Sequence, residues 1–203
     1  MVWRNGKNTQ RKPNDWAAIS AWAWGLSQIQ TYFETDVDLA KSKVIVIGHS
    51  RLGKVALWAG ANDTRFDMVI SNNSGCGGAA RFKRKAGEYI DTINRKFAHW
   101  FCHNFRSFNN NEDSLWLDQQ MLISLVAPRP IYVASAELDQ NADPKGEYTS
   151  LCLAQKVYQL YQPNLSFPCK IPKTNTLFLA KPMGYHIRTG KHEILEQGLV
   201  IFY

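Results

Sequence analysis

The sequence has no apolar run long enough to cross a bilayer. Its longest, AAISAWAWGL and VIVIG, fall far short of the roughly 20 residues a spanning helix needs. No low-complexity tract and no internal repeat occurs, which excludes disordered, fibrous and solenoid classes. Cysteine is sparse. Cys76, Cys102, Cys152 and Cys169 show no CxxC spacing and no histidine pairs at metal-ligand intervals, which speaks against a zinc site. Whether they pair or remain small buried thiols is left open by the sequence. The amino terminus, MVWRNGKNTQRKPND, lacks the apolar segment of a signal peptide, so nothing in it directs export and the chain as written reads as cytoplasmic.

Positive charge is present but not concentrated. The 203 residues carry a net +7, yet only RFKRK, residues 81–85, is a basic run, and it holds one aromatic where single-strand binders interleave several. It reads as a solvated helix face, with no nucleic-acid partner implied. A cationic surface beside an active site would equally steer an acidic substrate. At roughly 100 to 200 residues per domain, the length suits one domain with a full core.

Periodicity alternates between strand and helix. Trp16, Ile19, Ala23, Leu26, Ile29 and Phe33 recur at helical spacing over Asp15 to Glu34, after a start signal at Pro13 and Asn14. Val44 to Ile47 is a continuous apolar run expected to be a fully buried strand, followed by a helix over Leu52 to Ala61. A second strand over Met68 to Ser71 leads into the glycine-rich NNSGCGGAA. Asn94 to Phe108 and Ser114 to Leu125 are expected to be helical. Pro128 to Pro130 stop the second of these and launch a third buried strand, Ile131 to Ala136; Glu147 to Leu160 is again helical. One last strand is expected within Leu177 to Ile187. Strands alternating with helices of this length imply an α/β class with a mainly parallel sheet, and active residues gathered at the strands' carboxyl ends.

The stretch VIVIGHSRLG, Val44 to Gly53, carries the chemistry. A strand that ends in Gly-His-Ser-Arg-Leu-Gly and turns at once into a helix is the pattern of a nucleophile elbow, which holds its central serine, Ser50, in a strained conformation above the sheet edge. Gly48 lets neighbouring backbone approach. The second glycine usually falls two residues after the serine; here Leu52 stands there and Gly53 comes one later.

A serine hydroxyl needs a base to take its proton and a third group to orient that base. The chain order Ser, acid, His is that of α/β-hydrolases. Asp139 lies just past the strand IYVASA, with Glu137 as the second candidate acid, and Asp143 before Pro144 reads as a helix cap. His192, in the loop TGKHE, is the candidate base. His186 falls in a strand pattern as a packed or hydrogen-bonded residue, His99 and His103 sit on a predicted helix, and His49 should face away from Ser50. The backbone N–H of Arg51 supplies one oxyanion donor, and its side chain can take the place of a second.

At this point GHSRLGKVALWAGA, NNSGCGGAA, the HWF ending at Phe101, LVAPRPIYVASA, ADPKGE and GYHIRTGKHE together resemble the bacterial branch of the glucuronoyl esterases, carbohydrate esterases with the motif Gly-x-Ser-Arg-x-Gly. The resemblance runs from about Asp15 to about Glu193. It implies an α/β-hydrolase that cleaves the ester between 4-O-methyl-glucuronic acid on xylan and a lignin alcohol. Ser50 would be the nucleophile, His192 the base, Arg51 the side-chain oxyanion donor and Lys54, one helical turn on, a contact for the uronic acid hydroxyls. No metal or organic cofactor is implied. The partners are ester substrates only, with neither nucleic acid nor membrane.

Four departures accompany the resemblance. Asn73 stands where many members carry a glutamate, so the acid would be the one after the later strand, Asp139. Asn141 replaces a common tryptophan, and Gln119 with Gln120 replaces an Asp-His or Gln-His pair. Family members are about twice this length and act outside the cytoplasm, secreted or periplasmic, so residues 1–203 are expected to be the carboxy-terminal part of a single α/β-hydrolase domain that lacks its amino-terminal half. The strand of Val44 to Ile47 would then be an open apolar edge, giving a poorly soluble or dimeric chain. The competing readings are an acetylxylan-type esterase and a truncated, inactive homologue.

Overall fold

The β-branched runs become strands, and the strands pair mostly in parallel. The computed structural model describes residues 11–40 and 42–195; the polar amino terminus, up to residue 10, lies outside them. Strands β1 (Ile45–His49), β2 (Met68–Asn72) and β3 (Ile131–Ala136) run parallel, with β5 (Met183–Arg188) parallel to β3 and β4 (Thr176–Ala180) antiparallel at the far edge. The order is β1-β2-β3-β5-β4. Helices α1 (Ala18–Thr35), α2 (Arg51–Asn62), α3 (Ile90–Lys96), α4 (Gln119–Ser124) and α5 (Pro144–Tyr158) complete the α/β architecture expected from the sequence.

Side chains alternate across each strand. Val46, Val69, Ile131, Val133 and Tyr185 join residues of all five helices in the main core. The opposite face holds a smaller cluster of Met68, Ile70, Tyr132 and Ala134. Ile45 and Ile47 on that face are 48% and 42% exposed, so the run expected to be buried on both sides is covered on one only.

Three further expectations are corrected. The span Asn94 to Phe108 is not one helix: α3 ends at Lys96, the chain turns, and a short 3-10 segment covers His103–Phe108. The turn has a use, because the carbonyls of His99 and Trp100 accept the Ala18 and Ile19 N–H groups at 2.9 and 3.2 Å and so cap α1. Of Ser114 to Leu125 only α4 is helical, its start fixed by Asp118, whose carboxylate accepts from Gln119 N and, at 2.8 Å, from Phe82 N. The single strand expected near the carboxyl end is the hairpin β4–β5.

The basic run is likewise not a solvated helix face. Arg81 pairs with Asp118 at 3.1 Å, Arg84 with Asp143 at 2.8 Å, and Lys85 with Asp113. Asp143 precedes α5 as expected, but in a left-handed conformation and with no side-chain cap, because its carboxylate is taken by Arg84.

The glycine-rich loop after β2 is pinned by a carboxylate. Glu147, fully buried on α5, accepts from Ser74 N (2.7 Å), Gly75 N (3.0 Å) and Ser135 Oγ (2.6 Å). Burial outweighs these bonds and pushes its pKa up to about 7.

Two outcomes are expected. With β1 at the edge and Ile45 and Ile47 uncovered, the chain should self-associate; a monodisperse monomer by light scattering that melts cooperatively would contradict this. Glu147 should also make stability pH-dependent. The unfolded chain ionises this group from about pH 4.5 and the folded one only near 7, so its contribution is whole below 4.5 and lost as pH rises to about 7. Relative to Glu147→Gln, the wild-type Tm should therefore fall across that window and level off above it. A Tm difference independent of pH would refute the raised pKa.

Candidate active site

The end of β1 has the geometry of a nucleophile elbow. Ser50 sits at φ 58, ψ −126, between β1 and the first residue of α2, and its N–H donates to Asn72 O at 2.9 Å. A non-glycine residue held at positive φ is strained and persists only where its surroundings impose it. Here they do. A Cβ at Gly48 would collide with the Leu52 carbonyl, and one at Gly53 would stand 2.9 Å from Ser74 Cβ and 3.1 Å from Gly48 O. The late second glycine thus still provides the close approach that the elbow requires.

Ser50, Arg51, Lys54, Asp139 and His192, the five residues singled out from the sequence, all line one cavity of about 320 Å³. Asp139 follows β3 and is 6% exposed. Its Oδ2 lies 2.5 Å from His192 Nδ1 and accepts from Asn73 Nδ2 at 2.7 Å, while Oδ1 takes the Ala142 N–H at 3.3 Å. With a carboxylate opposite Nδ1, that nitrogen carries the proton and Nε2 is left with a lone pair. Glu137, the other candidate acid, is exposed, so the partner of His192 is Asp139. Asn73, at the position where the resemblance leads one to expect a glutamate, supplies a donor to that carboxylate.

Arg51 is exposed at the cavity, and its backbone N–H heads α2, where the helix presents unsatisfied donors and a partial positive charge. Lys54 is buried; its Nζ donates to Ser74 O at 2.5 Å and lies 5.8 Å from the centre of the Trp100 ring. Burial lowers its pKa, against the pull of Cys76, Glu88 and Glu147. Trp100 stacks on Phe97 with ring centres 3.9 Å apart, and both face the cavity.

Of the other histidines, His186 is buried on β5 with its Nδ1 2.6 Å from Tyr132 Oη, and burial lowers its pKa to about 4. His49 lies nearer the site than alternation suggested. Its ring centre is 4.6 Å from that of His192, and its buried Nδ1 has no hydrogen-bond partner. Burial, then the neighbouring His192, lowers its pKa.

Sequence reading missed Glu88, Glu147 and Arg188. Glu88 lines the cavity near Lys54, with its pKa raised by burial. Glu147 had a signal, since it continues the stripe Leu151, Ala154 and Tyr158 that α5 turns inward. Gln119, one of the departures, is buried and donates to Gly78 O, bracing the glycine-rich loop. Among the described residues the four cysteines are free, no cluster of His, Cys, Asp or Glu is placed to hold a metal ion, and no helix is long and apolar enough to cross a membrane.

Known proteins share this sequence and fold. Carbohydrate esterase MZ0003, from an unknown prokaryotic organism, is 50% identical over 179 residues, covering 88% of this chain and 41% of its own length. A promiscuous CE15 esterase from a marine bacterial metagenome superposes with a TM-score of 0.90 at 46% identity, over 97% of this chain and 49% of that one. The glucuronoyl esterase from Solibacter usitatus gives a TM-score of 0.88 at 42% identity, over 97% of this chain and 50% of that one. The chain thus spans about half the length of the relatives it matches. The family model described as glucuronyl esterase, fungi, matches residues 10–161, the span that carries the elbow, the glycine-rich loop and Asp139, and the chain belongs to the glucuronoyl esterase family.

Proposed function

We propose that this chain carries the catalytic residues of a serine carboxylic ester hydrolase acting on glucuronoyl esters, with 4-O-methyl-glucuronoyl xylan esterified to lignin alcohols as the substrate class. The observation that carries this reading is the strained Ser50 opening into the same cavity as the His192–Asp139 pair. As a plant cell-wall esterase it would act outside the cytoplasm.

Ser50 Oγ attacks the ester carbonyl while His192 Nε2 takes its proton, and Asp139 steadies the imidazolium that forms. The tetrahedral oxyanion is met by the Arg51 N–H at the head of α2 and by the Arg51 guanidinium. Collapse expels the alcohol, protonated by His192, and leaves an acyl-enzyme. His192 then activates the water that hydrolyses it. Lys54 and Glu88, which both line the cavity, serve as a donor and an acceptor for the hydroxyls of the uronic acid ring, with the stacked Trp100 and Phe97 as an apolar wall. No step needs a metal or an organic cofactor.

Hydrolysis of benzyl glucuronate against an acetyl ester is the direct test. Clear preference for the glucuronate is expected, because only its ring engages Lys54; preference for the acetyl ester would favour the acetylxylan reading. Ser50→Ala should abolish turnover and labelling by an organophosphonate while leaving the fold intact. Asp139→Asn should lower kcat by roughly a hundredfold to ten-thousandfold. A nearly silent Asp139→Asn would move the acid to Glu137, and failure of Ser50 to label would mark the chain as a truncated, inactive homologue.

A further inference from the structure

His192 lies in neither helix nor strand. β5 ends at Arg188, and the loop that follows carries the imidazole, 47% exposed, back over the cavity. A base on an irregular loop is only as well placed as the loop itself. Two backbone bonds dock this loop on the end of β3: Glu137 N to Arg188 O at 2.9 Å and Leu138 N to Gly190 O at 3.0 Å. A third tie runs from Thr189 N to Asn175 Oδ1 at 2.9 Å.

Asn175 Nδ2 also donates to Thr189 Oγ1 at 3.0 Å, and the ties that flank His192 come from one side chain. The Arg188 guanidinium, 11% exposed, donates from Nη1 to Thr189 O (3.1 Å) and from Nη2 to Lys191 O (2.9 Å) and Glu193 O (2.5 Å). It therefore grips the carbonyls immediately before and after His192. Its contact with the Glu193 carboxylate, 3.5 Å long and half exposed on the acid's side, contributes little. The backbone is shaped around this group. Gly190 sits at φ +122, and a Cβ there would collide with the Arg188 guanidinium.

We propose that Arg188 is a positioning residue, which folds residues 189–193 around its guanidinium and thereby fixes the His192 imidazole against Asp139. The proposal rests on the role of His192 given above. A planar fork of five donors can hold three carbonyls at once; a lysine ammonium is a point charge on a flexible stem and cannot span them in the same way. Arg188 does not line the cavity with His192, and its hydrogen bonds run to the loop.

The test uses the full chain with Arg188→Ala and Arg188→Lys. In Arg188→Ala the amide of Leu138, which reports loop docking, should exchange with solvent at least about tenfold faster, while the amides within β3 keep their protection. The downfield His192 Nδ1 proton resonance, assigned by its loss in His192→Gln, should disappear. On the preferred ester, kcat should fall by roughly tenfold to a hundredfold with KM little changed. Millimolar guanidinium ion should restore part of all three in Arg188→Ala, and Arg188→Lys should remain close to the alanine variant. Unchanged Leu138 exchange and a retained Nδ1 resonance would overturn the proposal. So would equal loss of protection throughout β3, which would mark Arg188 as a general support of the fold. The exchange and resonance measurements decide the matter whether or not the chain turns over, whereas failure of Ser50 to label bears on the esterase reading alone.

Discussion

The carboxylate of Glu147 is the constraint on which the site depends. A carboxylate buried without a cation is costly unless donors surround it, and here Ser74 N, Gly75 N and the hydroxyls of Ser74 and Ser135 do so. The same bonds fix the loop after β2 in space. From that loop the carbonyl of Ser74 holds Lys54, and Asn73 reaches Asp139, which holds His192. One buried acid on α5 thus sets, through three elements, where the cation and the base of the cavity stand. Removing it would strand two backbone donors and a hydroxyl in the interior, each a loss of about 1–3 kcal/mol.

The elbow is imposed in a different way, by packing at close range. Gly48 and Gly53 let the first turn of α2 press onto the end of β1 and onto Ser74, and α2 is anchored along Val55, Ala56, Leu57 and Ala59, all buried. The strain at Ser50 is therefore supported by a core helix and not by the serine's own contacts. The serine and the Arg51 N–H are placed by the same turn, and neither can shift without the other.

Features written in consecutive residues were legible in the sequence, and features made by distant ones were not. The strand before Ser50, the strand before Asp139 and the parallel class follow from apolar runs closed by glycine or proline, so chain order alone brought Ser50, Asp139 and His192 to one cavity. The hairpin β4–β5 was read as a single strand because its apolar residues continue on both sides of Lys181 and Pro182, although proline within such a run marks a break. The paired state of RFKRK depends on Asp113, Asp118 and Asp143, which lie dozens of residues further along. The contact of His49 with His192 follows from a loop that folds back over the site, against the simple alternation of a strand.

Asn73 shows how a local departure and a distant residue agree. It sits at φ 47, in the left-handed region that asparagine tolerates better than most side chains. A glutamate there would set a second carboxylate beside Asp139, and two carboxylates sharing a site raise the pKa of one of them. A neutralised acid orients an imidazolium poorly. Asparagine removes the like charge and offers its amide N–H to the remaining carboxylate, 2.7 Å from Oδ2. The amide at 73 and the acid at 139 therefore form one arrangement, in which a single carboxyl group, buried and bonded on both oxygens, faces the base.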